Sequence, residues 1–367
     1  MARPIIALSP MDGVTDAAYR FITASHGAPD IHFTEFTNVE GLARNAAVML
    51  DDFLYSEIER PVVAQIYGSE VESFYKIAIV VCELGFDGID INMGCPAKKV
   101  AARGCGAGLI RNPPLAKEIV AAVKRGVEDW LGGKSVEDLG LKERMVRRVR
   151  AMNLARIGTE QVKERSFKPV SVKTRLGYDQ VIVEDWMRHL LETRPACISL
   201  HGRTLKQMYT GQADWEAIAR AVEVARGSGT LIMGNGDLNT PGDIVRRVRQ
   251  TGVDGVLLGR GSMGNPWIFS HKDWIRHQVG SGSEIGEPQG EVGPEQRFRV
   301  LMEHAEYFEN VRGVERFAGM RKHFGWYCKG LPKAAELRNR MCQTRNSREV
   351  AQILEDYSRE FSHLFTS

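Results

Sequence analysis

One feature constrains the fold more than any other. Short apolar runs rich in β-branched residues recur eight times, with amphipathic helical stretches between them. The runs are Ile5–Ser9, His32–Glu35, Val62–Ile66, Gly88–Asn92, Pro169–Thr174, Cys197–His201, Leu231–Asn235 and Val253–Leu258. Several are apolar throughout rather than alternating, the pattern of parallel strands buried on both faces. Helical spacing fills the intervals at Ser69–Leu84, Leu115–Arg125, Trp215–Ala225 and Pro241–Thr251. Eight strands separated by helices predict an α/β fold, a closed (β/α)8 TIM barrel. A doubly wound sheet is the alternative, weakened because no G-x-G-x-x-G follows the first strand.

Two segments interrupt this alternation. Gly126–Lys168 is too long for one helix and a turn, and contains the basic stretch KERMVRRVRAMNLAR. It reads as an insertion on the barrel's rim or flank in which that stretch forms a basic amphipathic helix, with a solvated charged hairpin as the plainer alternative. The stretch 279–294, VGSGSEIGEPQGEVGP, has the Gly, Ser, Glu and Pro content of a linker. Beyond it, 295–367 is helical throughout. The division expected is a catalytic barrel over 1–278, a linker over 279–294 and a helical bundle over 295–367.

Composition narrows the class. Of 367 residues, 43% are hydrophobic and 26% charged, as in ordinary soluble globular proteins. The net charge of +3 permits nucleic-acid binding without arguing for it. No apolar run approaches the roughly eighteen residues of a membrane span, and the N-terminus lacks a signal-peptide pattern, so no membrane is expected. None of the six cysteines forms a C-x-x-C pair, so a cytoplasmic protein without a metal is expected.

In a β/α barrel the chemistry sits at the carboxyl ends of the strands. Polar residues stand there at Ser9-Pro10-Met11-Asp12, Gln65, Asn92 to Pro96, Lys173 to Arg175, His201 to Arg203, Gly234 to Asp237, and Gly259 to Gly261. The glycine-rich loops after the seventh and eighth strands suit a phosphate, which backbone N–H groups would bind and Arg260 would reinforce. A lysine deeper in the mouth, Lys173, suits the negative N1–C2 edge of a reduced flavin. An internal ion pair is the plainer reading of Lys173, and a hydrogen-bonded rim residue that of His201. Cys95 lies between Gly94 and Pro96 where the chain turns sharply. The neighbouring lysines favour a thiolate, whereas a general acid must hold its proton. A buried inert cysteine is the third reading.

These motifs resemble the tRNA-dihydrouridine synthase family, closest to its bacterial B-type subgroup. The matching stretches are SPMDGVTD (9–16), NMGCPAKKV (92–100), GAGLIRNP (106–113), VKTRLG (172–177), HGRT (201–204), GNGD (234–237), LLGRGSMGNPWIF (257–269) and RKHFGWYCKGLPKAAELR (321–338). The 126–168 segment is longer than the usual connection in that subgroup. The resemblance implies an FMN-dependent reduction of uridine in tRNA to 5,6-dihydrouridine, with NADPH (or NADH) reducing the flavin. It implies that Pro10, Met11, Asp12, Gln65, Lys173, His201, Asn235, Gly236, Asp237, Gly259 and Arg260 bind FMN. Cys95 would be the proton donor to an extruded uracil.

Asn92 and Arg175 are candidates for gripping the uracil edge, with a structural role at the turn as the alternative. Lys98 and Arg103 on the rim, and Arg316, Arg321 and Lys322 in the helical region, are candidates for phosphate contacts. The aromatics interleaved there, Phe317, Phe324, Trp326 and Tyr327, recur at helical spacing and read as bundle core. A monomer is expected. The competing functions are a flavin barrel reducing a free small molecule and an RNA-binding protein without catalysis.

Overall fold

The computed structural model describes residues 2–286, 288, 290 and 292–365, with Lys98 described in its backbone only. Eight strands form one sheet: β1 (Ile5–Leu8), β2 (His32–Asn38), β3 (Val62–Tyr67), β4 (Gly88–Met93), β5 (Val170–Arg175), β6 (Cys197–His201), β7 (Leu231–Asn235) and β8 (Gly255–Leu258). The order is β1-β8-β7-β6-β5-β4-β3-β2, and every ladder is parallel. The two ends of this curled sheet meet. Leu8 N–H donates to Ile31 O at 3.0 Å and Asp30 N–H to Ile6 O at 2.9 Å, just before β2 begins. That order and closure are consistent with a TIM barrel. Strands β1, β4 and β8 are buried at every residue, which explains why β1 and β8 read as unbroken apolar runs; β4 also buries Asp90 and Asn92.

The helices are α1 (Ala17–His26), α2 (Val39–Ala43), α3 (Val71–Glu83), α4 (Lys98–Ala101), α5 (Pro113–Leu131), α6 (Glu143–Ile157), α7 (Val183–Leu191), α8 (Trp215–Ala225), α9 (Pro241–Thr251), α10 (Lys272–Ser281), α11 (Pro294–Arg312), α12 (Arg321–Tyr327), α13 (Ala334–Met341) and α14 (Ser347–Glu360). Their ends carry explicit signals. The Thr240 and Asp243 side chains form a capping box on α9, Pro241 opens its first turn, and left-handed Gly252 closes it. Asp214 caps α8 by accepting from Ala217 N–H.

The expected break at Gly126 is not there. Helix α5 runs through it to Leu131, because the glycine is a packing position. A Cβ at Gly126 would stand 2.7 Å from Tyr75 O and 2.8 Å from Ala78 Cβ, so only glycine lets α5 lie this close to α3. The extra segment proper is a 3-10 turn (Val136–Leu139) and α6. No long helix follows β2: only α2 and two short 3-10 turns precede β3. Helix α6 seals that flank. Arg144 reaches Asn45 O, Arg148 reaches Asp51 at 2.9 Å, and Arg156 reaches Glu57. Arg150 pairs with buried Glu83 and with Glu137, while Trp130 Nε1 donates to Glu83 at 2.8 Å. The basic stretch is therefore spent largely on the barrel rather than presented to solvent. Removing one partner of the Arg150–Glu83 pair is expected to cost roughly 3–5 kcal/mol.

Helix α10 extends to Ser281, three residues into the stretch read as linker, and α11 starts at Pro294; Glu287, Gln289 and Glu291 of that stretch lie outside the described residues. Helices α11 to α14 enclose a second core around Leu301, Phe308, Phe317, Phe324, Tyr327 and Val350. Ala18 and Ile22 of α1 belong to the same core, which ties these helices to the barrel. Phe317, Phe324 and Tyr327 are core, as helical spacing predicts; Trp326 is half-buried and packs against the barrel's own core. Among the described residues no helix is long and apolar enough to cross a membrane.

Candidate active site

Parallel registry brings the strand ends level. Asn92 pairs with Lys173, Arg175 with His201, and His201 with Asn235. Around them lies a cavity of about 650 Å³. Its walls include Pro10, Met11 and Asp12 after β1, Asn92 and Cys95 at β4, and Lys173 and Arg175 on β5. His201, Asn235, Gly236, Asp237, Gly259 and Arg260 complete them.

Gln65 does not line the cavity. It is fully buried beneath it, donating from Nε2 to Asp90 Oδ2 at 2.6 Å and accepting from Asn92 Nδ2 at 2.9 Å. Asn92 Oδ1 in turn accepts the N–H groups of Gly94 (3.0 Å) and Cys95 (2.8 Å). A directed chain thus runs from Ser171 and Asp90 through Gln65 and Asn92 to the cysteine turn. Asn92 has at most one Nδ2 hydrogen left for a ligand.

The turn is also held from the other side. Arg175 Nε donates to Gly94 O at 2.7 Å, and Ala107 N–H to Cys95 O at 3.3 Å. Arg175 Nη1 reaches Thr204 O and Met208 O, so this guanidinium joins two loops of the mouth. Both of the structural alternatives for Asn92 and Arg175 are thus realised, while each still faces the cavity. Burial pushes the Cys95 thiol up, outweighing the lowering by Arg175 and Lys173. Cys95 holds its proton at neutral pH, and the thiolate reading of the sequence fails because desolvation exceeds attraction.

Lys173 has no hydrogen-bonding partner among the described residues, and its ion-pair reading fails with that. Burial, then the Arg175 charge, lowers it to about 8, so it remains mostly a cation at pH 7. Burial and the four neighbouring cations hold His201 neutral, pushed down to about 2. Arg203 Nη1 lies 3.3 Å from His201 Nε2, which makes Nε2 the acceptor and places the ring proton on Nδ1.

Asp237 adopts a left-handed φ of 52° after Gly236 at φ 132°. A Cβ on Gly236 would meet Ala213 Cβ at 2.6 Å. The Asp237 carboxylate accepts two bonds from Arg203 (2.7 and 3.0 Å), one from Ala213 N–H (2.8 Å) and one from Arg260 (2.8 Å). Arg203, almost fully buried, fixes this loop; the sequence places it at the end of β6, within HGRT, but gives it no role. Asp90, Met208 and Tyr209 were not singled out from sequence; the last two line the mouth. The backbone N–H groups of Gly236, Asp237, Gly259 and Arg260 donate to no acceptor among the described residues. Unspent amides on two adjacent glycine loops, next to Arg260, fit a phosphate. With the unpaired Lys173 cation deeper in, the donor set fits a planar anionic cofactor ending in a phosphate.

The outlying cations separate. Arg103 and Arg321 are exposed. Arg316 pairs with Asp51 at 3.0 Å, and Lys322 with Asp16 at 3.1 Å, so these two also dock the C-terminal helices onto the barrel. The Lys98 side chain lies outside the described residues.

A curled parallel sheet with a polar cleft at its strand carboxyl ends is the arrangement of the barrel enzymes. Within that class the family is clear from comparison. The family model described as "Dihydrouridine synthase (Dus)" matches residues 6–134 and 149–362, and the chain belongs to that family. The match skips 135–148, between the end of α5 and the middle of α6. A "Probable tRNA-dihydrouridine synthase 2" of Bacillus subtilis (strain 168) is 32% identical over 98% of this chain and 96% of its own length. A "Probable tRNA-dihydrouridine synthase" of Staphylococcus aureus (strain COL) is 32% identical over 97% and 94%. Among solved structures, DHODH of Eimeria tenella in complex with ferulenol gives a TM-score of 0.46 at 12% identity, over 75% of this chain and 79% of that one.

Proposed function

We propose that this protein is a cytoplasmic, FMN-dependent tRNA-dihydrouridine synthase drawing its electrons from NADPH, with 1–278 as catalytic barrel and 295–367 as the tRNA-binding helical domain. The observation that carries the reading is the combination in one cavity of a protonated Cys95, an unpaired Lys173 and a cradle of free amides. Bound there, reduced FMN would supply hydride to C6 of a uracil. The chain's own residues would do the rest. Gly236, Asp237, Gly259 and Arg260 hold the phosphate, and Lys173 stabilises the negative edge of the ring system. Neutral His201 lies beside them without adding charge.

On the other wall, Cys95 Sγ holds the proton that C5 must receive. The Asn92 and Arg175 clamps keep that thiol in one place, which is what efficient proton transfer needs. A uracil inside folded RNA cannot enter the cavity, so the nucleotide must be extruded. Exposed Arg103 and Arg321 are placed to meet the phosphates of the displaced strand.

The test is incubation of purified protein with NADPH and unmodified tRNA, reading uridine mass by nuclease digestion and mass spectrometry. Wild type is expected to be yellow and to add two mass units at defined uridines. Cys95→Ala is expected to keep the colour, and to keep flavin reduction by NADPH, while nearly abolishing product. Efficient reduction of free uracil with tRNA left untouched would favour a small-molecule reductase. A colourless protein that binds tRNA without changing it would favour a non-catalytic role.

A further inference from the structure

Asp16, His304 and His323 come together where the loop after β1 meets α11 and α12. They are 3%, 0% and 0% exposed, and their donor atoms all lie within 4.8 Å of one another. Nothing in the proposed reduction uses them. His304 Nδ1 lies 3.1 Å from Tyr327 Oη, but its Nε2 has no hydrogen-bond partner. Among the described residues His323 has no hydrogen-bond partner at either nitrogen, and its Nε2 stands 3.7 Å from Asp16 Oδ2. Asp16 Oδ1 is occupied in capping α1, where it accepts Tyr19 N–H at 3.0 Å, which leaves Oδ2 toward the histidines. Tyr19 stacks on His323 and Trp326 meets it edge-on, closing the surroundings with aromatic rings. Unpartnered buried imidazole nitrogens are costly, about 1–3 kcal/mol each. One from each histidine converging with a carboxylate oxygen calls for a ligand.

We propose that Asp16, His304 and His323 form a structural site for a divalent transition-metal ion that fastens the C-terminal helices to the barrel. Two imidazoles and one carboxylate are the donor set of zinc-class ions, whereas magnesium and calcium prefer oxygen alone. Tetrahedral zinc holds its ligands about 3.4 Å apart, so the donors close by at most about 1.4 Å from their present spread. Tyr327 Oη accepts from His304 Nδ1–H, fixing the tautomer that leaves Nε2 free to ligate.

Lys322 Nζ lies 3.1 Å from Asp16 Oδ2, and its side chain is 34% exposed. It occupies the opening to solvent, swings outward when the ion enters, and weakens binding by its charge. The proposal is independent of the flavin and of RNA.

The experiment is elemental analysis of full-length protein purified without chelators, followed by Co2+ titration of the chelator-treated protein. About one zinc-class ion per chain is expected, with tetrahedral Co2+ absorption bands on titration. Chelation is expected to lower the unfolding temperature by several degrees, and metal to restore it. His323→Gln removes a ligand at nearly constant volume and is expected to lose the bands and the chelator effect. Lys322→Met, which keeps the ligands, is expected to bind Co2+ more tightly. Absence of retained ion, of Co2+ bands and of any metal-dependent shift in wild type would overturn the site. So would a Lys322→Met protein destabilised equally with and without Co2+, since the ammonium would then be the only partner Asp16 needs.

Discussion

Asn92 is the residue whose replacement most directly separates two accounts of this site. Its side chain makes three hydrogen bonds, to Gln65 Oε1, Gly94 N–H and Cys95 N–H. Asn92→Ala removes all three and leaves a fully buried acceptor, a buried donor and a part-buried donor without partners. At about 1–3 kcal/mol for each buried group and nearer 1 for the part-buried one, the expected loss is roughly 3–7 kcal/mol. The measurement is equilibrium urea denaturation of wild type, Asn92→Ala, Gln65→Met and the double variant. The two side chains touch, so their costs are not independent. The double variant is expected to lose about 1–2 kcal/mol less than the sum of the singles.

Turnover sharpens the point. With the Cys95 turn loosened, the product-forming step should slow at saturating tRNA, while flavin reduction by NADPH keeps its rate. Suppose instead that Asn92 mainly grips the uracil. Then Asn92→Ala would leave stability within about 0.5 kcal/mol of wild type and raise KM for tRNA with kcat kept. That outcome would refute the reasoning from the hydrogen-bonded chain.

Three further outcomes follow from the charges. Burial, reinforced by the Asp16 charge, raises Glu35 to about 7, above its unfolded value of 4.5, so its favourable contribution is present below 4.5 and is lost as pH rises through 7. Glu35→Gln, which can still accept Gly13 N–H, is therefore expected to stabilise the protein by roughly 2–3 kcal/mol at pH 8 and by almost nothing at pH 4.5; equal effects at both pH values in urea titrations would contradict this. Lys173, lowered to about 8, loses its charge as pH rises through that value, so FMN affinity of the stripped protein should fall between pH 7 and 9 and become pH-independent in Lys173→Met. A wild-type affinity flat across that range would remove Lys173 from the cofactor's charged edge. Arg321→Gln is expected to reduce the slope of log affinity for tRNA against log salt by about 0.7–0.9 and Arg316→Gln, engaged by Asp51, by less; unchanged slopes for both would move the RNA footprint elsewhere.

The strands were legible because a parallel strand buried on both faces tends to be apolar along its whole length, as β1 and β8 are. Their carboxyl ends were legible for the converse reason: Asn92, Lys173, His201 and Asn235 are polar where the run of apolar residues stops. What a side chain does there was not legible, because its partners come from other strands. Gln65 and Asn92 are both polar strand-end residues, and only the β3–β4 registry shows that they spend their amides on each other. Cys95 sits beside Lys98 and Lys99 in sequence, yet burial, a property of the assembled wall, sets its protonation.

Helix α6 was legible as a basic helix on the flank, but its ion-pair partners were not, for a related reason. A run of arginines in one segment carries no mark of the acids it will meet, and here those acids lie in the β2–β3 connection and at the end of α3: Asp51, Glu57 and Glu83. The gap after β2 and the extra helix after β4 are each anomalous alone. Together they are one solution, since a barrel strand left without its covering helix would expose an apolar flank. It follows that α6 is constrained as barrel wall before it is available as an RNA-binding surface. On the proposed reading, the cations that would meet RNA are accordingly those left without an ion pair among the described residues at the mouth and on α12, beginning with Arg103 and Arg321.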